Sequence, residues 1–240
     1  MFSNKLTDTN YLRKRKAFTL AEVLITLGII GVVAALTLPL IIEHHNEKVV
    51  ETRLEKVYST MNQAISMAEL DYGDREIWFA DLSNIDEQKA WIEKYILPYL
   101  KYNKFSKVRI SGAYLNAIYF ADGSVLVKTL SNGRDWFFFS GNIDKCIKSP
   151  TNHYRDFVGK CVFAFYYNPV WINNANVSRE FNTFGTGWLL ILGDNPEEAL
   201  KYNTSFGCYD SGNSWHGFCT AVIHRNGWKI PDDYPYRVHY

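Results

Sequence analysis

The sequence contains no GxSxG, no HExxH and no glycine-rich phosphate loop, which excludes the common signatures of hydrolases, zinc proteases and nucleotide-binding enzymes. No two cysteines are spaced as CxxC, so neither a zinc ribbon nor a dithiol redox motif is present. An excess of one charge is also missing: 26 basic side chains face 25 acidic ones. With no basic stripe evident in the sequence, there is no electrostatic case for gripping nucleic acid. No loop carries the alternating acidic spacing of an EF-hand.

What is abundant is apolar surface, at 47% hydrophobic and 16% aromatic residues over 240 positions, ample for a folded domain. Its distribution is uneven. Residues 18–42, FTLAEVLITLGIIGVVAALTLPLII, hold one charge, Glu22. As a helix this run extends roughly 37 Å at about 1.5 Å per residue, enough to cross a hydrocarbon core of about 30 Å. Before it lie Lys5, Arg13, Lys14, Arg15 and Lys16, five cations against Asp8, a net of +4. The positive-inside rule therefore places residues 1–17 in the cytoplasm and the bulk of the chain beyond the membrane. A secretory signal needs a shorter apolar core and a cleavage site on the far side. On length, charge and hydropathy alone, a plain signal anchor fits.

Glu22 argues for more than an anchor, because a carboxylate in a membrane helix costs about 2.5–3.5 kcal/mol near the bilayer centre and marks a partner. At these residues the sequence resembles the prepilin signal of type IV pilins and type II secretion pseudopilins: a basic leader, a small residue, Phe-Thr-Leu-x-Glu and about twenty apolar residues. Lys16, Ala17, Phe18, Thr19, Leu20 and Glu22 match in order. The resemblance implies cleavage between Ala17 and Phe18 by a prepilin peptidase, methylation of the new Phe18 amine, and pairing of that amine with Glu22 of a neighbouring subunit. It further implies an inner-membrane assembly platform, other pilin or pseudopilin subunits and membrane lipid as partners; no cofactor is expected beyond a candidate Ca²⁺, and the near-neutral charge gives no expectation of nucleic acid. Ala17 stands where the family has glycine. Pro39 matches a position where the family often has a proline, expected to kink or locally melt the helix.

Beyond residue 42 the polarity changes but the helical period continues through Val50, Leu54, Val57, Met61, Ile65 and Ala68. One helix ending near Gly73 is expected. A second, at 85–101 and broken near Pro98, should pack on a sheet. Strand-like runs come next, at 114–121, 124–130, 136–140, 161–167, 188–192 and 220–224, with Asp122-Gly123 read as a two-residue hairpin turn. The fold class is α+β, pilin-like, with a long helix on an antiparallel sheet. The domain layout is a cytoplasmic leader at 1–17, a membrane or filament-core helix at 18–42, an exported helical half at 43–73 and an exported α+β domain at 74–240. Residues 168–182, rich in asparagine, read as a surface loop.

Cys146, Cys161, Cys208 and Cys219 all fall in the exported half, where two disulfides are the expected use. Four cysteines allow three pairings, and the short loops favour Cys146 with Cys161 and Cys208 with Cys219. Asp232 with Asp233, or Asp194 with Glu197 and Glu198, are candidates for Ca²⁺. His153, His216 and His224 are candidates for hydrolytic chemistry, although no motif accompanies them and no enzyme is expected. Trp171, Trp188, Trp215 and Trp228 are candidates for a surface-binding platform. The leading expectation is a filament subunit, minor or at the tip; the alternative is an exported binding module displayed by the same machinery.

Overall fold

The computed structural model describes residues 18–79, 82–130, 134–147, 153–170, 179–186, 195–209 and 215–240. The chain forms two compact units, Met1–Ile42 and Glu43–Tyr240. Helix α1, Leu20–Tyr72, contributes to both.

In the first unit, residues 20–42 are helical and exposed on nearly every side, among them Leu24, Ile25, Ile29, Ile30, Leu36 and Ile41. A helix apolar all round has no core-facing stripe; it suits a lipid environment. Its hydroxyls are satisfied internally. Thr26 Oγ1 donates to the Glu22 carbonyl at 2.9 Å and Thr37 Oγ1 to the Val33 carbonyl at 2.9 Å, as a segment without water requires. Among the described residues, α1 is the one helix long and apolar enough to cross a membrane. It runs through Pro39 with helical residues on both sides.

In the second unit, α1 becomes amphipathic and buries Val50, Leu54, Val57, Met61, Ala64, Ile65 and Ala68, the spacing of three and four that one helical face requires. It stops at Gly73, whose φ of +82° suits glycine and whose N–H donates to the Glu69 carbonyl at 3.0 Å. Short helix α2, Arg75–Trp78, comes next. Helix α3, Ile85–Tyr95, is capped by the Asn84 side chain and ends in a 3₁₀ turn at Leu97–Tyr99 containing Pro98. The expected break near that proline is present.

The sheet has six antiparallel strands in sequence order: β1 Lys104–Ile110, β2 Ala113–Tyr119, β3 Val125–Lys128, β4 Asp135–Phe139, β5 Val162–Tyr167 and β6 Phe181–Thr183. Along β4, Trp136 and Phe138 join the core beneath α1 and α3, while Phe137 and Phe139 join a second core on the opposite face. Residues 125–127 of β3 and 136–139 of β4 thus read as unbroken apolar runs because both sides are covered. Helices α4 (Ile143–Cys146), α5 (Pro196–Tyr202) and α6 (Cys219–Arg225) contribute to the second core. Lys128 is fully buried beneath α3, its ammonium 4.6 Å from the ring centre of Trp136 and 5.6 Å from that of Trp91.

Three expectations are corrected. The run at 220–224 is helical, within α6: its β-branched residues suggested a strand, but Cys219 to Ile223 are all buried, so tertiary packing overrides propensity. Asn226 and Gly227, the latter with φ +66°, end that helix. Part of the expected loop at 168–182 is strand β6, held by Asn62 of α1, which accepts from Phe181 N at 3.0 Å and donates to Phe181 O at 2.9 Å. The Asp122-Gly123 connection is not a two-residue turn: Gly123 alone has positive φ and donates to Phe120 O at 3.1 Å. The tight two-residue turn is instead Ser111-Gly112, both at positive φ, between the paired Ile110 and Ala113. Strand β1 itself was not anticipated. The expected strand at 188–192 and residues 171–178 of the expected loop lie outside the described residues.

Polar contacts fix α1 on this unit. Arg53 Nη2 donates to the Asp122 carbonyl at 2.5 Å, Arg53 Nη1 donates to the Ser140 carbonyl, and the guanidinium lies 4.7 Å from the Tyr240 ring centre. Buried Glu51 accepts from Ile230 N at 3.0 Å and Lys229 Nζ at 2.9 Å, with Lys48 Nζ at 3.5 Å. Burial pushes the Glu51 carboxyl up, but the Ile230 N–H and the two lysines outweigh it and hold the group below its ordinary value. A depressed folded value stabilises the fold above the unfolded pKa, and that stabilisation disappears as pH falls through the folded value. The denaturant midpoint should therefore drop on acidification through the lower carboxylate range. Glu51→Gln should cost about 1–3 kcal/mol at neutral pH and make the drop shallower, as read by urea unfolding at several pH values.

Candidate functional site

The residues singled out by the sequence lie at the start of α1. Phe18 is 85% exposed and Thr19 precedes the first helical residue. A helix leaves its first N–H groups without intrahelical partners, and Thr19 with Glu22 supplies them. Glu22 N donates to Thr19 Oγ1 at 3.2 Å, while Glu22 Oε2 accepts from Thr19 N at 2.8 Å and from Thr19 Oγ1 at 2.9 Å. This is a reciprocal capping box, the Thr-x-x-Glu pattern at the N-terminus of a helix. The same carboxylate stands where the helix dipole favours negative charge. Sequence reasoning found Glu22 as a lone charge in an apolar run but missed that Thr19 engages it; the signal was their separation by three residues.

Of the remaining nominated residues, Ala17 and the leader lie outside the described residues. Cys146 and Cys161 are at disulfide distance, with Cα atoms 5.9 Å apart, and Cys208 and Cys219 likewise, at 4.5 Å. All four are buried in the core on the sheet face opposite α1.

The histidines are dispersed. His153 caps a 3₁₀ turn by accepting from Arg155 N at 3.3 Å, and His216 Nδ1 lies 3.0 Å from Tyr236 Oη. His224 stacks on Trp228 with ring centres 4.3 Å apart, and burial together with neighbouring Arg225 holds its imidazole below the ordinary value. His224 Nδ1 also lies 3.4 Å from Thr183 Oγ1. Of the four tryptophans, Trp228 is 8% exposed, half-buried Trp215 packs edge-on against Phe184 and Phe206, and Trp171 and Trp188 lie outside the described residues. Among the acidic candidates, Asp233 pairs with Lys201 at 2.7 Å and Glu197 with Arg225 at 3.3 Å, and Asp194 is outside the described residues. No group of three or more metal-ligating side chains forms among the described residues.

One charged feature escaped the sequence reading. Between Lys101 and Ala121 there are four cations, Lys101, Lys104, Lys107 and Arg109, and no acid. All four are exposed along the outer strand β1 and its approach. The near-neutral total concealed this local basic strip.

Comparison with known proteins gives two family matches. A model described as a family of unknown function (DUF6613) covers residues 40–238, and one described as a prokaryotic N-terminal methylation motif covers residues 12–38. Neither the curated proteins nor the solved structures yield a match. The methylation motif spans the capping box, and with the long helix it identifies a pilin-type precursor signal. Such a motif implies processing by a prepilin peptidase and assembly with other pilin-type subunits.

If the Thr19 hydroxyl caps the helix, Thr19→Val should weaken the first turn by about 1 kcal/mol, which speeds amide exchange at Glu22 by about fivefold in detergent micelles. Thr19→Ser should restore the protection.

Proposed function

From the premise that the chain belongs to the family of unknown function DUF6613 and carries a pilin-type precursor signal, we propose that it is a structural subunit of a pilus-like filament. A prepilin peptidase hydrolyses the bond between Ala17 and Phe18 on the cytoplasmic side, and the new Phe18 amine is methylated. The mature subunit waits in the inner membrane as a single-pass protein with its α+β domain outside, and an assembly platform moves it into the filament. The chain's role is structural rather than catalytic.

The observation that carries this reading is Glu22, the one charge in residues 18–42. Thr19 supplies two donors to a single carboxylate oxygen, so Oε1 is left for another partner. An amine on the adjoining subunit meets that need, and two charges costly in lipid become one pair that also sets register between subunits. The size of the exported domain favours a minor or tip subunit, in a type II secretion pseudopilus or a type IV pilus, over the repeating subunit of a tight array. Burial of Trp228 and the packing of Trp215 weaken the alternative of an aromatic binding module.

Co-expression with a prepilin peptidase should yield a chain that begins with methylated Phe18, detected by intact-mass measurement; an intact leader would reject the proposal. Glu22→Val should leave trimming unchanged and abolish recovery of the subunit in sheared filaments. Normal recovery would remove the pairing mechanism.

A further inference from the structure

We propose that the outer edge of β1 is a docking strand for an extended acidic segment of a partner protein. In the sheet order, β1 is terminal, and among the described residues it pairs with β2 alone. A terminal strand presents a row of main-chain N–H and C=O groups along its free side, which is a template for a further strand. At seven residues, β1 is long enough to form a full ladder.

The side chains along this edge select the occupant. Lys101, Lys104 and Arg109 are exposed and have no carboxylate partner among the described residues, whereas Lys107 pairs with Asp86 at 2.8 Å. Lys107 and Arg109 stand opposite Asn116 and Tyr114 in the β1–β2 ladder. Lys104 lies beside Tyr119, its ammonium 5.5 Å from the ring centre. Positions 104 and 107 differ by an odd number, so cations project to both faces of the strand, matching an incoming strand that carries carboxylates on both of its faces. Three residues before the strand, Lys101 lines a groove of about 490 Å³ together with Val57, Tyr99, Phe120 and Asp122.

The same charges exclude a second copy of β1, since edge-to-edge pairing would bring like charges together. They would attract a nucleic acid, whose phosphates can accept from the outward N–H groups but offer no donor to the alternating C=O groups. A peptide uses both features, and this decides between them. The inference concerns the exported unit and does not depend on leader processing.

The test uses the full chain in detergent micelles and a fluorescent peptide of Glu and Val in a Glu-Glu-Val repeat, which puts carboxylates on both faces of a strand about seven residues long. A Lys-Val peptide and a single-stranded oligonucleotide serve as the comparison probes. The Glu-Val peptide should bind by anisotropy, weaken with added salt, and slow amide exchange at residues 104–110 but not at 181–183. The double variant Lys104→Glu, Arg109→Glu, which spares the Lys107–Asp86 pair, should lose at least about tenfold in affinity while remaining folded by circular dichroism. If that variant does not fold, the pair Lys104→Gln and Arg109→Gln should lose about threefold. Equal binding of the Lys-Val peptide, unchanged affinity in the folded variant, or oligonucleotide binding without β1 protection would each overturn the proposal.

Discussion

Burial of one face of α1 against the sheet is the interaction on which the second unit, Glu43–Tyr240, depends. Val50, Leu54, Val57, Met61, Ile65 and Ala68 form a stripe that must leave water, and Ile118, Leu126, Phe138, Phe163 and Phe165 supply the matching side of the same core. Apolar contact alone would tolerate sliding of the helix along the sheet. Register comes from polar groups along α1, with Glu51 on the segment at Lys229 and Ile230, Arg53 on two carbonyls and Asn62 on the edge of β6. Each of these loses hydrogen bonds if the helix shifts by a turn, and an unpaired buried group is costly.

The same helix meets a different requirement in its first part. There it is apolar all round, so packing within its own subunit cannot be its purpose, and its polar atoms are satisfied inside the segment. The capping box between Thr19 and Glu22 extends that economy to the end of the helix, where free N–H groups would otherwise be exposed to lipid. It also refines the role of Glu22. Thr19 already orients the carboxylate, and in the pairing proposed above a preoriented acceptor would lose less freedom.

Charge illustrates how a sum can hide a pattern. The cations at 101, 104, 107 and 109 look scattered when counted in a near-neutral chain, and β1 was not recognised because its apolar residues, Phe105, Val108 and Ile110, are separated by polar ones. Only pairing with β2 aligns them as an edge strand with basic side chains on both faces. Lys128 makes the opposite point: a lysine in an apolar run is fully buried because two tryptophan rings from α3 and β4 receive its ammonium.

By itself the sequence determined the features set by local periodicity and by isolated charge: the apolar segment at 18–42, the amphipathic continuation to Gly73, the break near Pro98, the strands β2 to β5 in outline and the singular position of Glu22. These are legible because a helical face, a strand alternation or a lone carboxylate in an apolar run is visible within a short window. The tertiary structure decided the helical state of α6, the identity of β6, the partners of Glu51 and Arg53, the buried Lys128 and the basic edge. Each of these depends on residues brought together from distant parts of the chain, where burial and long-range hydrogen bonds outweigh a local preference of a few tenths of a kcal/mol per residue.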